Sequence, residues 1–177
     1  MFRDRPGRRT RQRSAIGGLD GAARWMFRAL SATCLAAAAP AQAPLDPLAG
    51  RWELNLARTH YGGGAEPRRR ESFSCIVIAA TVKCSIESVR VDGRSVRGGF
   101  TATYDGSAGP TDGIPDVDHV RLARVSGSIA DATFTRDGIP VFAYRAVQSS
   151  SGKSLTIVSV DPVSRAVLNS VVVYDRR

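Results

Sequence analysis

Cys75 and Cys84 are the side chains whose spacing most directly implies chemistry in this sequence. Apolar and polar residues alternate on both sides of residues 79–80, which is the pattern of a β-hairpin. A turn centred there places Cys75 opposite Cys84, on the face that also carries Phe73, Val77, Val82 and Ile86. Opposed Cα atoms lie about 4.5–5.5 Å apart, a separation that a disulfide can bridge. The spacing therefore predicts a Cys75–Cys84 disulfide, with two reduced, buried cysteines as the alternative.

The histidines and the loop aspartates offer little for a metal site or an active site. His60 and His119 each lack a further metal-ligating side chain at the spacing of a known site. Asp112, Asp116 and Asp118 share one loop, but this loop lacks the bidentate glutamate and regular spacing of a calcium-binding loop. We expect a polar surface loop, no metal and no cofactor. An enzyme that uses loop carboxylates such as Asp112, Asp116 or Asp118 is a functional hypothesis with little support from the sequence.

The positive charge of the chain is concentrated at its N-terminus. The net charge is +9, and residues 1–43, with eight Arg and two Asp, carry six of those nine charges. Residues 68–70 are all arginine, but Glu66 and Glu71 flank them, which favours a solvated strand entrance over the alternative of a phosphate or anion site. No aromatic ladder interleaves with basic residues, as a platform for single-stranded nucleic acid requires. The sequence therefore argues against a nucleic-acid partner.

Residues 1–43 have the features of a cleavable signal peptide. An arginine-rich start precedes an apolar run at 25–39, and Ala41-Gln42-Ala43 supplies the small-x-small ending. The run contains Arg28 and is too short to span a bilayer as a stable helix. Met26 is an alternative translation start. We expect residues 44–177 to form one periplasmic or secreted domain with no integral membrane span, in a compartment where a disulfide persists.

The rest of the chain has a period of two almost throughout, which predicts β-strands. Turn residues such as Asp-Gly and Ser-Gly separate the runs. Nine strands are expected, at 51–57, 70–78, 81–91, 98–104, 118–125, 128–136, 140–148, 154–160 and 166–175. Short turns join them except for a long loop at about 105–117, and closure of such a meander removes its exposed edges. The predicted fold is an all-β, antiparallel up-and-down barrel of about 8–10 strands, in preference to a sandwich.

The opening strand carries a family resemblance. Gly50-Arg51-Trp52-Glu53-Leu54-Asn55 resembles the G-x-W-x-L-N first strand of small exported bacterial proteins that are described as lipocalin-like, of calycin type. Short segments at 103–106, 113–118, 145–147, 152–156 and 171–174 follow the same order as in that group. The resemblance implies a barrel in which Gly50 and Trp52 are structural. It also implies that Trp52 plugs one end and packs against a basic residue of the last strand, here Arg176.

The barrel interior is the remaining candidate for function. Alternation places Phe100 and Tyr104 on one face of their strand, and either Phe142 and Tyr144 or Val141 and Val147 on another. We expect Phe100, Tyr104, Phe142 and Tyr144 to line a cavity for a small apolar or amphipathic molecule, in a binding protein that is not an enzyme. The alternative is a filled barrel whose basic outer surface contacts an acidic partner through Arg121, Arg124, Arg136 and Arg145. A cavity of about 300 Å³ or more favours the first hypothesis.

Overall fold

Ten antiparallel strands close into a single barrel in the computed structural model, which describes residues 46–62 and 65–177. Each strand pairs with its neighbours in the chain, and β1 pairs with β10 to complete the ring. A short 3₁₀ helix at Leu56–Arg58 follows β1. The strands are β1 Gly50–Leu54, β2 Arg68–Ile78, β3 Thr81–Arg90, β4 Ser95–Thr103, β5 Asp105–Asp112, β6 His119–Arg124, β7 Ile129–Arg136, β8 Ile139–Gln148, β9 Ser154–Val160 and β10 Val167–Arg176. The predicted all-β, up-and-down barrel is confirmed.

The long loop expected at 105–117 is wrong, because residues 105–112 form strand β5. Its sequence, DGSAGPTD, has no apolar alternation to predict a strand. Gly109 lies so close to β4 that a Cβ there would sit 2.0 Å from the carbonyl oxygen of Thr101. Only a residue without a side chain permits this approach. The first strand is also shorter than expected, since the chain turns into the 3₁₀ helix after Leu54.

The β2–β3 hairpin has the predicted register. Cys75 faces Cys84, and the flanking pairs are Val77 with Val82 and Phe73 with Ile86. A disulfide joins Cys75 to Cys84, whose Cα atoms are 4.1 Å apart. The predicted disulfide is therefore confirmed, and both cysteines are buried inside the barrel.

One end of the barrel, here the closed end, contains Trp52 and the turns after β2, β4, β6 and β8. Trp52 is buried, and its indole N–H donates to the carbonyl oxygen of Leu48 at 2.9 Å. The Arg176 guanidinium carbon lies 4.4 Å from the centre of the Trp52 ring, which is the contact that the resemblance implied. Arg176 also donates to the carbonyl oxygens of Ala49 and Gly152, at 3.0 and 2.6 Å. Through these contacts, here the Arg176 clamp, β10 holds the start of β1.

The Arg176 clamp requires a glycine at position 50. Its φ is +128°, a conformation that residues with a side chain rarely adopt. A Cβ at this position would also lie 2.5 Å from Nη1 of Arg176. Glycine therefore allows the guanidinium to cross the chain and reach Trp52.

Residues 46–49, here the plug, cover the closed end. The Asp46 carboxylate accepts hydrogen bonds from the backbone N–H groups of Leu48 and Ala49, at 2.9 and 3.2 Å, and pairs with Arg124. Leu48 is buried in the core beneath it.

The signal peptide predicted at 1–43 lies outside the described residues. Within residues 46–62 and 65–177, no helix is long and apolar enough to cross a membrane.

Candidate ligand-binding cavity

A cavity of about 660 Å³ occupies the barrel interior toward the end opposite Trp52, here the open end. Leu48 forms part of its floor, while exposed residues such as Pro115 and Asp116 lie at its mouth. The closed half of the barrel is filled instead, by buried side chains that include Trp52, Val82, Leu122, Ala146 and Leu155. The interior therefore has a packed base and a hollow upper half that reaches solvent.

An aromatic wall forms one side of the cavity, from β4, β7 and β8. The Phe134 ring stacks on Phe142 with centroids 4.4 Å apart and meets Phe100 edge-on at 5.9 Å. Tyr144 lies beside Phe134 at 5.8 Å. Phe142 is 39% exposed and stands at the mouth. These rings give the cavity an apolar surface of the kind that small-molecule sites use.

The structure places three of the four predicted lining aromatics in the cavity: Phe100, Phe142 and Tyr144. On β8 the ring contacts inside the barrel come from Phe142 and Tyr144. Val141 also lines the cavity, at its mouth, and is 43% exposed. Burial raises the pKa of Tyr144 well above its ordinary value, so its hydroxyl stays neutral and able to donate.

Tyr104 is not among the residues that line the cavity, which corrects the expectation for this side chain. It follows β4 at the closed end, where its hydroxyl donates to Asp46 at 2.7 Å. The Arg124 guanidinium lies 4.4 Å from the centre of its ring. Alternation gave the correct face, but it could not give the height of Tyr104 along the barrel axis. Tyr104 holds the plug instead.

A polar wall faces the aromatic wall, and it comes from β2, β10 and the segment that precedes β2. Glu71 is buried, at 6% exposure, and accepts a hydrogen bond from the Tyr174 hydroxyl. Nε of Arg68 lies 2.8 Å from the other carboxylate oxygen of Glu71. The β2–β3 register shifts between Arg68 and Arg70, and this bulge turns Arg68 to the same side as Glu71. The expected solvated entrance therefore holds for Arg69 and Arg70, which are exposed, and is wrong for Glu71.

The polar wall also contains two unpartnered hydroxyls. Oγ of Ser170 and Oη of Tyr61 are buried and have no hydrogen-bond partner within residues 46–62 and 65–177. Ser170 is only 1% exposed. Burial raises the pKa of Tyr61, against the opposing effect of the Arg68 charge. Burial and then the Glu71 carboxylate raise that of Tyr174 strongly. Both phenols therefore remain neutral.

The charged groups that line the cavity are paired. Burial acts to lower the pKa of Arg68, but its polar neighbours, led by the Glu71 carboxylate, outweigh this effect and raise the pKa above its ordinary value. Arg90 pairs with Glu66, and Asp116 at the mouth pairs with Arg136 at 3.1 Å. The lining is thus polar in places but carries no unbalanced charge among these groups.

Exposed apolar side chains gather around one side of the mouth. They come from the start of β8, from the β9–β10 turn and from the start of β10. Each is more than one-third exposed: Ile139, Val141, Phe142, Val163 and Val167. Exposed apolar side chains that lie together are a feature of ligand-binding grooves and interaction surfaces.

The four arginines of the alternative hypothesis already have partners inside the molecule. Arg145 makes a bidentate pair with Asp131, at 2.8 and 2.9 Å, and thereby lowers the pKa of that carboxyl. Arg124 pairs with Asp46 in the plug. Arg136 pairs with Asp116, and Arg121 donates to the carbonyl oxygen of Gly106 at 3.0 Å. These contacts weaken the case for a free basic surface that waits for an acidic partner.

The loop aspartates do not converge on one point. Asp116 pairs with Arg136, whereas Asp118 accepts from the backbone N–H of Asp137 at 2.8 Å and lies beside His119. The hydrogen bond from the Asp137 backbone, and then the neighbouring His119 ring, lower the pKa of Asp118. No group of three or more potential metal ligands occurs among the residues that the structure describes.

Sequence reasoning missed the polar wall, although part of it had a signal. Glu71 has the same parity as Phe73 and Cys75 on β2, so the register that predicted the disulfide also places Glu71 inside. Tyr174 has the same parity as Val172 on β10, so it is placed inside in the same way.

No protein-family model matches this sequence, and no curated protein matches it.

Proposed function

We propose that this protein is an exported, lipocalin-like binding protein that holds one small apolar or amphipathic molecule in its barrel. The observation that carries the proposal is the cavity of about 660 Å³, which falls within the range of small-molecule sites, about 300–1,000 Å³. Its aromatic wall and the apolar patch at its mouth suit such a ligand. The proposed role is binding rather than catalysis.

The proposal places the protein in the periplasm or outside the cell. The arginine-rich start, apolar run and small-x-small ending of residues 1–43 support export. The Cys75–Cys84 disulfide is compatible with an oxidising compartment. Arg176 packs on Trp52 and passes beside Gly50, as the resemblance implied, and these contacts support a lipocalin-like architecture.

The test is recovery of a bound molecule. Native mass spectrometry measures the mass of protein purified from its own host. The protein is then unfolded, and any released molecule is extracted and identified. We expect an added mass that disappears on unfolding. A cavity-filling variant, Ser159→Phe on the inner face of β9, should lose this mass.

Ser85→Phe is the matched control, because Ser85 is exposed on the outer face of β3. It should retain the ligand if the site is the barrel interior. Equal retention by Ser159→Phe and Ser85→Phe would place the ligand elsewhere. The absence of any retained mass, with no thermal shift against a lipid and metabolite panel, would contradict the proposed function.

A further inference from the structure

We propose that the cavity selects an amphipathic ligand whose head group is uncharged and forms hydrogen bonds, such as an alcohol or a primary amide. This inference rests on the proposed function and names the ligand class. It follows from the polar wall formed by Arg68, Glu71, Tyr174, Tyr61 and Ser170, which faces the aromatic wall across the hollow half of the barrel.

The charge balance of the polar wall excludes a charged head group. Arg68 and Glu71 neutralise each other at 2.8 Å, and Arg90 at the edge of the cavity is neutralised by Glu66. A carboxylate that entered would gain Arg68 only by competing with Glu71, and would stand next to that buried anion. An ammonium group would meet the equivalent conflict with Arg68. Either ion would lose its hydration without a free counter-charge.

The hydrogen-bonding groups of the wall suit a neutral head. Ser170 and Tyr61 carry hydroxyls that lack partners among the described residues, and a hydroxyl can both donate and accept. Glu71 accepts from Tyr174 and Arg68, and a carboxylate has room for further donors. An alcohol or amide offers a donor and an acceptor together, so it can satisfy these groups without adding charge. Its chain would lie against Phe100, Phe134 and Phe142.

The position of the polar wall fixes the orientation of the ligand. Glu71 lies two residues above Phe73, which contacts Trp52 in the packed base, and the Phe73 ring meets Tyr174 at 5.0 Å. The wall therefore begins directly above the base, whereas Phe142 stands at the mouth. We infer that the head group enters first and that the chain extends toward the apolar patch.

The experiment compares four probes that share one chain: dodecanol, dodecanamide, dodecanoate and dodecylammonium. Binding to the mature protein is measured by displacement of a fluorescent apolar dye. The two neutral probes should bind at least about tenfold more tightly than the two ions, because a buried charge without a partner is costly. Dodecanoate or dodecylammonium binding as tightly as dodecanol would overturn the inference.

Two variants reverse the preference in opposite directions. Glu71→Gln keeps an acceptor for Tyr174 but leaves Arg68 unpaired, so dodecanoate should gain at least about tenfold relative to dodecanol. Arg68→Gln leaves Glu71 unpaired, so dodecylammonium should gain. The controls are Glu87→Gln and Arg70→Gln, which remove the same charges from exposed positions on the outer face. If one buried variant does not fold, the other still decides the outcome.

The pattern of results separates this inference from the proposed function. Four probes of equal affinity would support the cavity as a binding site and overturn the head-group selection. Failure of all four to displace the dye from wild type would contradict both. Unchanged probe preference in folded Glu71→Gln and Arg68→Gln would also overturn the role of the polar wall.

Discussion

At the level of single residues, the Arg68–Glu71 pair should be important for stability because a buried carboxylate needs its partner. Glu71→Gln leaves Arg68 without a counter-charge in the cavity. Breaking a buried ion pair typically lowers the free energy of unfolding by about 3–5 kcal/mol. We expect a loss no larger than the lower end of that range, because the Arg68 side chain is 36% exposed and partly hydrated.

The double variant Arg68→Met/Glu71→Gln tests this explanation. It contains no unpaired charge, and the glutamine still accepts from Tyr174, so most of the stability should return. Urea unfolding of the wild type, Arg68→Met, Glu71→Gln and the double variant measures the coupling. Additive losses in the double variant would contradict the pairing argument.

Trp52 should make a large contribution to the stability of the packed base. It is 1% exposed, donates to Leu48 and supports the Arg176 guanidinium. Trp52→Ala should destabilise by about 3–5 kcal/mol, the range for a buried aromatic ring. Trp52→Phe should lose less, because it keeps most of the ring volume. Urea unfolding measures both, and a water-exposed emission spectrum of native Trp52 in the mature protein would contradict the burial.

The residues of the site differ in how far the sequence could predict them. Parity placed Phe100 on the inner face and grouped Phe142 with Tyr144, but the choice between this pair and Val141 with Val147 stayed open until the structure. The same rule applies to Glu71. Arg68 could not be predicted by parity, because the bulge next to it changes the side on which it lies. Alternation fixes the side of the sheet, whereas bulges and position along the axis depend on the closed barrel.

At the level of elements, the disulfide should stabilise the β2–β3 hairpin. Cys75 and Cys84 are separated by nine positions, and closing a loop of this size contributes about 2–3 kcal/mol by the chain-entropy estimate. Cys75→Ala/Cys84→Ala should lose about this amount in urea unfolding. Mass spectrometry of the exported wild type under non-reducing conditions should find neither cysteine alkylated. Two free thiols in that material would contradict the bond.

The β4–β5 turn should make stability depend on pH in the acid range. Oδ1 of Asp105 accepts from the Ser107 and Thr103 hydroxyls, both at 2.6 Å, and from the Ser107 N–H at 2.9 Å. These bonds, led by that from the Ser107 hydroxyl, lower the Asp105 pKa to about 2. The unfolded value is about 3.9, so this stabilisation is present above about pH 4 and disappears as the pH falls toward 2.

Asp105→Asn tests this assignment, because asparagine keeps the shape and does not titrate. Urea unfolding of wild type and variant is compared at pH 6, 3 and 2. The difference between them should shrink as the pH falls. Ser107→Ala removes the leading donor and should reduce the wild-type slope. A difference that stays constant across these pH values would contradict the role of Asp105.

Strand β5 shows where element prediction from sequence reaches its limit. The β2–β3 hairpin was predictable because its interior face carries cysteine and apolar residues on both strands. Residues 105–112 contain two glycines and a proline and have no apolar periodicity. They form a strand because β4 and β6 present edges that must be paired to close the barrel. The determinant lies in the neighbouring strands and not in the segment.

At the level of the whole molecule, a ring of ten strands explains why the barrel is not filled. Barrel diameter grows with strand number, and about eight strands give an interior that side chains just fill. Here ten strands surround an interior in which several inward positions carry small residues, including Ala102, Ala132 and Ser159. The sequence predicted the barrel class. Its volume also depends on β5, the additional strand that had no sequence signal.

The plug is the part of the described chain that lies nearest to the predicted cleavage site. Asp46 connects the start of the described chain to Tyr104 and Arg124, and Leu48 is buried beneath it. Leu48→Ala alone should destabilise by about 2–5 kcal/mol, as for other buried leucines. A mature chain that began beyond Leu48 would lose all of these contacts.

We therefore predict that the exported protein begins at or before Asp46, with Pro44 the expected first residue and cleavage after Ala39 or Ala41 compatible. N-terminal sequencing of the exported form identifies the start. Two produced chains, starting at Pro44 and at Gly50, provide the comparison. The first should retain the stability of the exported form. The second should unfold at lower urea concentration, because Trp52 loses the Leu48 acceptor and Arg176 loses Ala49. Equal stability of the two chains would show that the plug does not hold the closed end.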